Sequence, residues 1–251
     1  MRLCHTPLLP LQRDLYRRPL GPGRFGAYLD ALVDGKSGDM RLPLSLFNPM
    51  AKEHMPTLLD ALIDMDADGT AAAATAEAER GLQAANAPSG SYRVCLVAAD
   101  DVKGGWTDRY SSDLDCRFKQ QAHYRRGWIV ATLWASRDYA PASVRRETLL
   151  AIYRAEYALR HGTAADLGAM LAQEGYAMRR AGAPGPPLEE DDLDYTRQVL
   201  APFLRRADLP ALVGALYGDP AARALGYRPM GLSPGAGFAL ARALADDAAM
   251  V

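Results

Sequence analysis

Lysine is scarce in this chain. Of 29 basic residues only Lys36, Lys52, Lys103 and Lys119 are lysine, and the other 25 are arginine. A basic excess is absent too, because 30 acidic residues bring the formal net charge to −1. Nucleic-acid binding draws its affinity from phosphate neutralisation by a basic surface, so this composition argues against it. Cysteine is limited to Cys4, Cys95 and Cys116. Three well-separated thiols make no disulfide framework and point to a reducing compartment. No apolar run approaches the roughly 18 residues of a membrane-spanning helix. The opening MRLCHTPLLPLQRDLYRR, broken by Pro7 and Pro10, makes a poor signal peptide. Together these absences lead to the expectation of a cytoplasmic protein that meets no membrane. No repeat of fixed period, no HExxH and no GxSxG motif is present.

What is present is an apolar fraction of 49% and a charged fraction of 24% over 251 residues, enough to bury a real core. Alanine, at 45 residues, and arginine both favour helix. The expected fold is therefore α/β or α+β and helix-rich. It has a small central sheet of three or four strands flanked by helices, and an all-helical C-terminal portion. Residues 91–100 and 127–136 are near-continuous apolar runs bounded by turn residues, as in strands buried on both faces. Residues 40–49 suggest a further strand, at an edge or with a late start because of Pro43.

Residues 1–26, rich in proline, glycine and arginine, suggest an extended arm. Helices are expected over 25–33, over 50–65 from its three- and four-residue apolar spacing, and over the alanine-rich 70–85. Another is expected over 113–125, with Ser112 as N-cap and Leu114, Phe118 and Ala122 on its buried face. Pro141 opens a helix that ends at His161-Gly162, and Thr163 with Asp166 restarts the next. The breaker AGAPGPP at 181–187 divides a main domain, 1–182, from a helical subdomain, 188–251.

Gly21, Gly23 and Gly26 match the letters of a GxGxxG phosphate loop. The residues before them make no convincing strand, and Pro22 removes a backbone donor. A turn leading into a helix explains them better.

Ligands of open α/β sheets gather beyond the carboxyl ends of strands, which singles out the loop after residue 99. There Asp100 and Asp101 offer carboxylates, and Lys103, Arg109 and Arg117 offer anion-binding donors. Trp106 and Tyr110 offer rings that stack on planar groups. The strand-to-helix junction Asn48–His54 contributes Lys52 and His54. In the helix at 141–161, Glu156 precedes Arg160 by four residues and suits a surface ion pair. Turned inward beside an arginine, Glu156 would instead be an acid or base. The expected function is binding of a small polar or anionic metabolite. If catalysis follows, Asp101 and Glu156 supply acid–base chemistry and Arg109 and Arg117 hold the anion. The cofactor is left open. Non-catalytic interaction or self-association, through Trp106, Tyr110 and the alanine-rich helix, is the alternative. A metal site from Cys95, Cys116 and His123 ranks third, since no recognised ligand spacing supports it.

Overall fold

The structure, a computed structural model, describes residues 1–85, 87–102 and 107–247. In chain order its elements are β1 (Arg2–His5), α1 (Leu9–Arg17), α2 (Pro22–Leu32), α3 (His54–Asp64), α4 (Ala67–Ala84), β2 (Ser91–Ala99), α5 (Arg109–Phe118), α6 (Gln121–Arg125) and β3 (Trp128–Trp134). Then follow α7 (Pro141–His161), α8 (Leu167–Arg180), α9 (Glu190–Leu200), α10 (Leu209–Tyr217), α11 (Asp219–Ala224) and α12 (Ala236–Asp247). The fold is the expected helix-rich α/β arrangement, with a small sheet flanked by helices and a helical C-terminal portion. None of the described helices is long and apolar enough to cross a membrane. The chain forms two compact units, Met1–Arg109 with Gln121–Ile152, and Tyr110–Gln120 with Tyr153–Val251.

The first unit is built on three parallel strands in the order β1-β2-β3. Central β2 is buried without interruption from Val94 to Ala99, as its unbroken apolar run predicts. Strand β1 pairs only as far as His5 with Val94. Beyond it, the fully buried Gln12 of α1 takes over as a side-chain substitute for a strand. Its amide donates to Leu96 O at 3.1 Å and accepts from Ala98 N at 2.9 Å. Both backbone groups would otherwise be buried and unmet. Helix α4 covers the outer edge of β1, where Leu3 N donates to Glu79 and His5 Nε2 lies 2.8 Å from Asp68. Its buried face is Ala67, Ala71, Ala74, Thr75, Ala78 and Leu82, so mostly small side chains permit a close approach.

Three expectations are corrected. Residues 1–26 are not an extended arm; they form β1, α1 and the start of α2. The strand is only four residues long, below what alternation can signal, and Pro10 sits in the first turn of α1 rather than breaking it. Residues 40–49 are not a strand. Their one ladder contact is the isolated antiparallel bridge Val33–Met40. Proline at 43 and 49 denies the ladder its donors. Leu44 and Phe47 instead plug the core from successive turns, with Phe47 packed 5.4 Å from Tyr16 and 6.3 Å from Tyr28. The helix expected over 113–125 is two helices, α5 and α6. Ser112 lies inside α5, and Ala122 is exposed while Leu114 and Phe118 are buried. The three glycines at 21–26 open α2 directly after α1, with Gly21 at φ 147°, so no strand feeds a phosphate loop there.

The second unit is wholly helical among its described residues. Helix α8 approaches α12 so closely that a Cβ on Gly175 would lie 2.3 Å from Ala241 O. Asp166 caps α8 through Ala169 N, and Asp208 caps α10 through Ala211 N.

Candidate functional site

The carboxyl end of β2 turns out of the sheet at Asp100, which is only 6% exposed. One carboxylate oxygen lies 2.9 Å from His54 Nε2, and the other accepts from Asn48 Nδ2 at 2.8 Å. Val102 N adds a longer bond at 3.3 Å. Burial alone would raise the Asp100 pKa, but the bonds from His54 and Asn48 outweigh it and hold the carboxyl below its ordinary value. An ionised Asp100 can only accept, so the proton of a neutral His54 belongs on Nε2. That leaves Nδ1 of a partly exposed imidazole with no partner among the described residues.

The local sequence explains why these groups meet. Asn48 accepts from Met50 N at 2.9 Å, a turn that lets Pro49 follow and His54 start α3. The Asn48 carbonyl accepts from the Tyr16 hydroxyl. Burial and the nearby Asp100 charge push the Tyr16 pKa up, so it stays a neutral donor. Arg24, almost fully buried, donates to Arg18 O and Tyr16 O and lies 5.2 Å from the Tyr16 ring centroid. Tyr16 and Arg24 thus brace the Asn48 turn from behind. Neither is marked by any local motif, because α1 and α2 deliver them from far along the chain.

Asp101 faces a different set of partners. Its carboxylate accepts from Ser136 N at 2.8 Å, Ser136 Oγ at 2.6 Å and Arg109 Nη1 at 3.0 Å. The Arg109 guanidinium lies 4.5 Å from the Trp134 ring centroid. Ser136 follows β3, so Asp101 ties the end of β2 to the turn after its neighbour. A carboxylate engaged on both oxygens and 1% exposed is well placed to hold that edge together.

The remaining expected residues are dispersed. Lys52 is exposed just ahead of His54. Lys103 and Trp106 lie outside the described residues. Tyr110, Arg117 and Glu156 belong to the second unit. Tyr110 packs edge-on against Tyr217 at 5.4 Å. Arg117 donates to Asp113 at 2.7 Å and to Glu174 at 2.6 Å. Glu174, fully buried, also receives both Arg154 donors at 2.7 and 2.9 Å, and Tyr217 donates to Asp113 at 2.8 Å. Burial would raise Glu174, but Arg154 and Arg117 overrule it and keep its pKa low. Glu156 is fully buried and accepts from Arg160 and the Tyr176 hydroxyl. The sequence points to Arg117 and Glu156 but not to Glu174, whose burial comes from α7 and α8 packing around it.

Among the described residues no three His, Cys, Asp or Glu side chains are grouped to hold a metal ion. Cys95 is buried in β2, and burial pushes its thiol pKa up, away from nucleophilic character. Comparison of the chain with family models, with curated proteins and with solved structures finds no match.

Proposed function

We propose that the protein binds a small polar or anionic metabolite at the carboxyl end of β2, with His54 as the acid–base group and Asp100 as its orienting partner. The observation that carries this reading is the 2.9 Å His54–Asp100 contact at the end of the central parallel strand. Strand ends of this kind are where open α/β sheets receive ligands. A buried carboxylate fixing one imidazole nitrogen, with the other nitrogen left open, is the arrangement proton transfer needs. Among the described residues no serine, threonine or cysteine hydrogen-bonds His54, so the pair suits proton exchange with a bound ligand rather than acyl transfer. Lys52, exposed at the start of α3, supplies positive charge for an anionic substituent. Asp101 and Arg109 hold the neighbouring strand end in this reading.

The test is a thermal-shift screen of carboxylate and phosphate metabolites against the wild type, His54→Gln and Lys52→Ala. A ligand present at a hundredfold its Kd stabilises by about 2.7 kcal/mol, or roughly 5–10 °C for a chain of this size. The expected result is such a shift in the wild type that disappears in His54→Gln. No stabilising metabolite, or one that stabilises His54→Gln equally, would sink the reading.

A further inference from the structure

At the opposite, amino end of the sheet lies a groove of about 550 Å³ whose walls include Arg2, Arg93 and Arg126. Parallel sheets are normally covered on both faces. Here, however, Arg2 and Cys4 of β1 and Ser91 and Arg93 of β2 are all exposed. The parallel register pairs Arg2 with Ser91 and Cys4 with Arg93, so all four stand on one face. Arg2 and Arg93 are diagonal neighbours on that face, within reach of a shared ligand.

The three guanidinia differ in what already occupies them. Arg126 holds Asp39 through Nε at 2.7 Å. The Arg93 guanidinium lies over Trp128, 3.7 Å from the ring centroid, and has one long bond to Arg126 O at 3.4 Å. Stacking fixes the plane of this guanidinium and leaves its edge donors to point outward. Arg2 makes no ion pair among the described residues. The Glu79 carboxylate at the groove wall accepts from Leu3 N. Three cations therefore face two carboxylates, and the groove keeps a net positive charge with unfilled donor forks. Leu3 and Tyr92, at the intervening positions, turn their side chains to the other face, so along this stretch the groove floor is strand backbone.

We propose that this groove is a second ligand site, distinct from the His54 end of the sheet, and that it takes a phosphate group, free or carried as a monoester. The Arg2 and Arg93 forks hold the phosphate oxygens, since planar guanidinium edges match that acceptor array. No chemistry is asked of the site; it binds.

The experiment is an NMR titration of the full chain with phenyl phosphate, repeated with inorganic phosphate. Saturable shifts at the Ser91, Tyr92 and Gly127 amides are expected, and the tighter of the two probes tells an esterified from a free phosphate. Arg2→Gln and Arg93→Gln should each weaken binding about tenfold. Both positions are exposed, so folding should survive. Arg93→Lys keeps the charge and loses the fork, and should weaken binding by a smaller factor. His54→Gln should leave this binding unchanged. Three results would overturn the proposal: no saturation by either probe at about 10 mM, an unchanged affinity in Arg93→Gln, or shifts confined to residues around His54 and Asp100. The last would assign the anion to the carboxyl end and leave that reading standing.

Discussion

The first unit holds Asp100 and the second holds Glu174, two carboxylates kept ionised against burial by hydrogen-bonded partners. Their surroundings differ in one respect. Asp100 is paired with an imidazole that is 20% exposed and keeps one nitrogen without a partner among the described residues. Glu174 is paired with Arg154 and Arg117, and Arg117 passes on to Asp113 and Tyr217, so the charges close on one another. A closed set of fully engaged donors and acceptors specifies packing. A set that ends on an open titratable nitrogen is available to a ligand. Carboxylate identity is the same in both; partner type and exposure separate a structural cluster from a candidate site.

This contrast can be broken by mutation, and the largest effect is expected at the closed cluster. Glu174→Gln leaves the buried Arg154 without its counter-charge and should cost about 3–5 kcal/mol. Tryptophan occurs only at positions 106, 128 and 134, and the two described ones, Trp128 and Trp134, lie in the first unit, so their fluorescence reports that unit. Urea unfolding of Glu174→Gln should therefore move the far-UV circular dichroism transition more than the fluorescence transition. A cost below about 1 kcal/mol would mean the cluster is not the closed network described.

Asp100→Asn should have a smaller cost, about 1.5–2 kcal/mol, because it weakens charge-assisted bonds to His54 and Asn48 rather than stranding a buried charge. Its pH dependence has a definite sign. A carboxyl whose folded pKa lies below its unfolded value contributes stability that is present above the unfolded value. That stability is lost as pH falls through the folded one. The wild type should thus lose stability on acidification below about pH 4, by up to about 1.4 kcal/mol per pH unit for each such carboxyl. Asp100→Asn should flatten the acid limb followed by fluorescence. An unchanged limb would remove Asp100 from the set of depressed carboxylates.

The smallest effect sharpens the contrast most. His54→Gln should cost under about 1 kcal/mol, since the ring is partly exposed and the glutamine amide can still donate to Asp100. A group built for a ligand is one whose loss harms binding and spares stability. A loss of several kcal/mol in chemical denaturation would instead make His54 a structural prop.

The chain's pattern alone determined much of the architecture. The apolar runs at 91–100 and 127–136 became adjacent parallel strands, and Pro141 and His161-Gly162 bound α7 where helix-end chemistry places them. These signals are local, carried by residues within one element. The adjacent acids Asp100 and Asp101 and the Asn48–His54 junction were legible as site candidates for the same reason. Tertiary structure decided the rest. It gave adjacent Asp100 and Asp101 different partners, because successive residues at a strand end point to opposite sides. It turned residues 40–49 from an apparent strand into core-plugging turns, and placed the Gln12 side chain where β1 runs out. It also buried Glu174 between two arginines that nothing in its own helix announces. Hydrophobic period and capping act over a few residues, whereas the partner of a buried polar group is set by whichever distant element packs beside it.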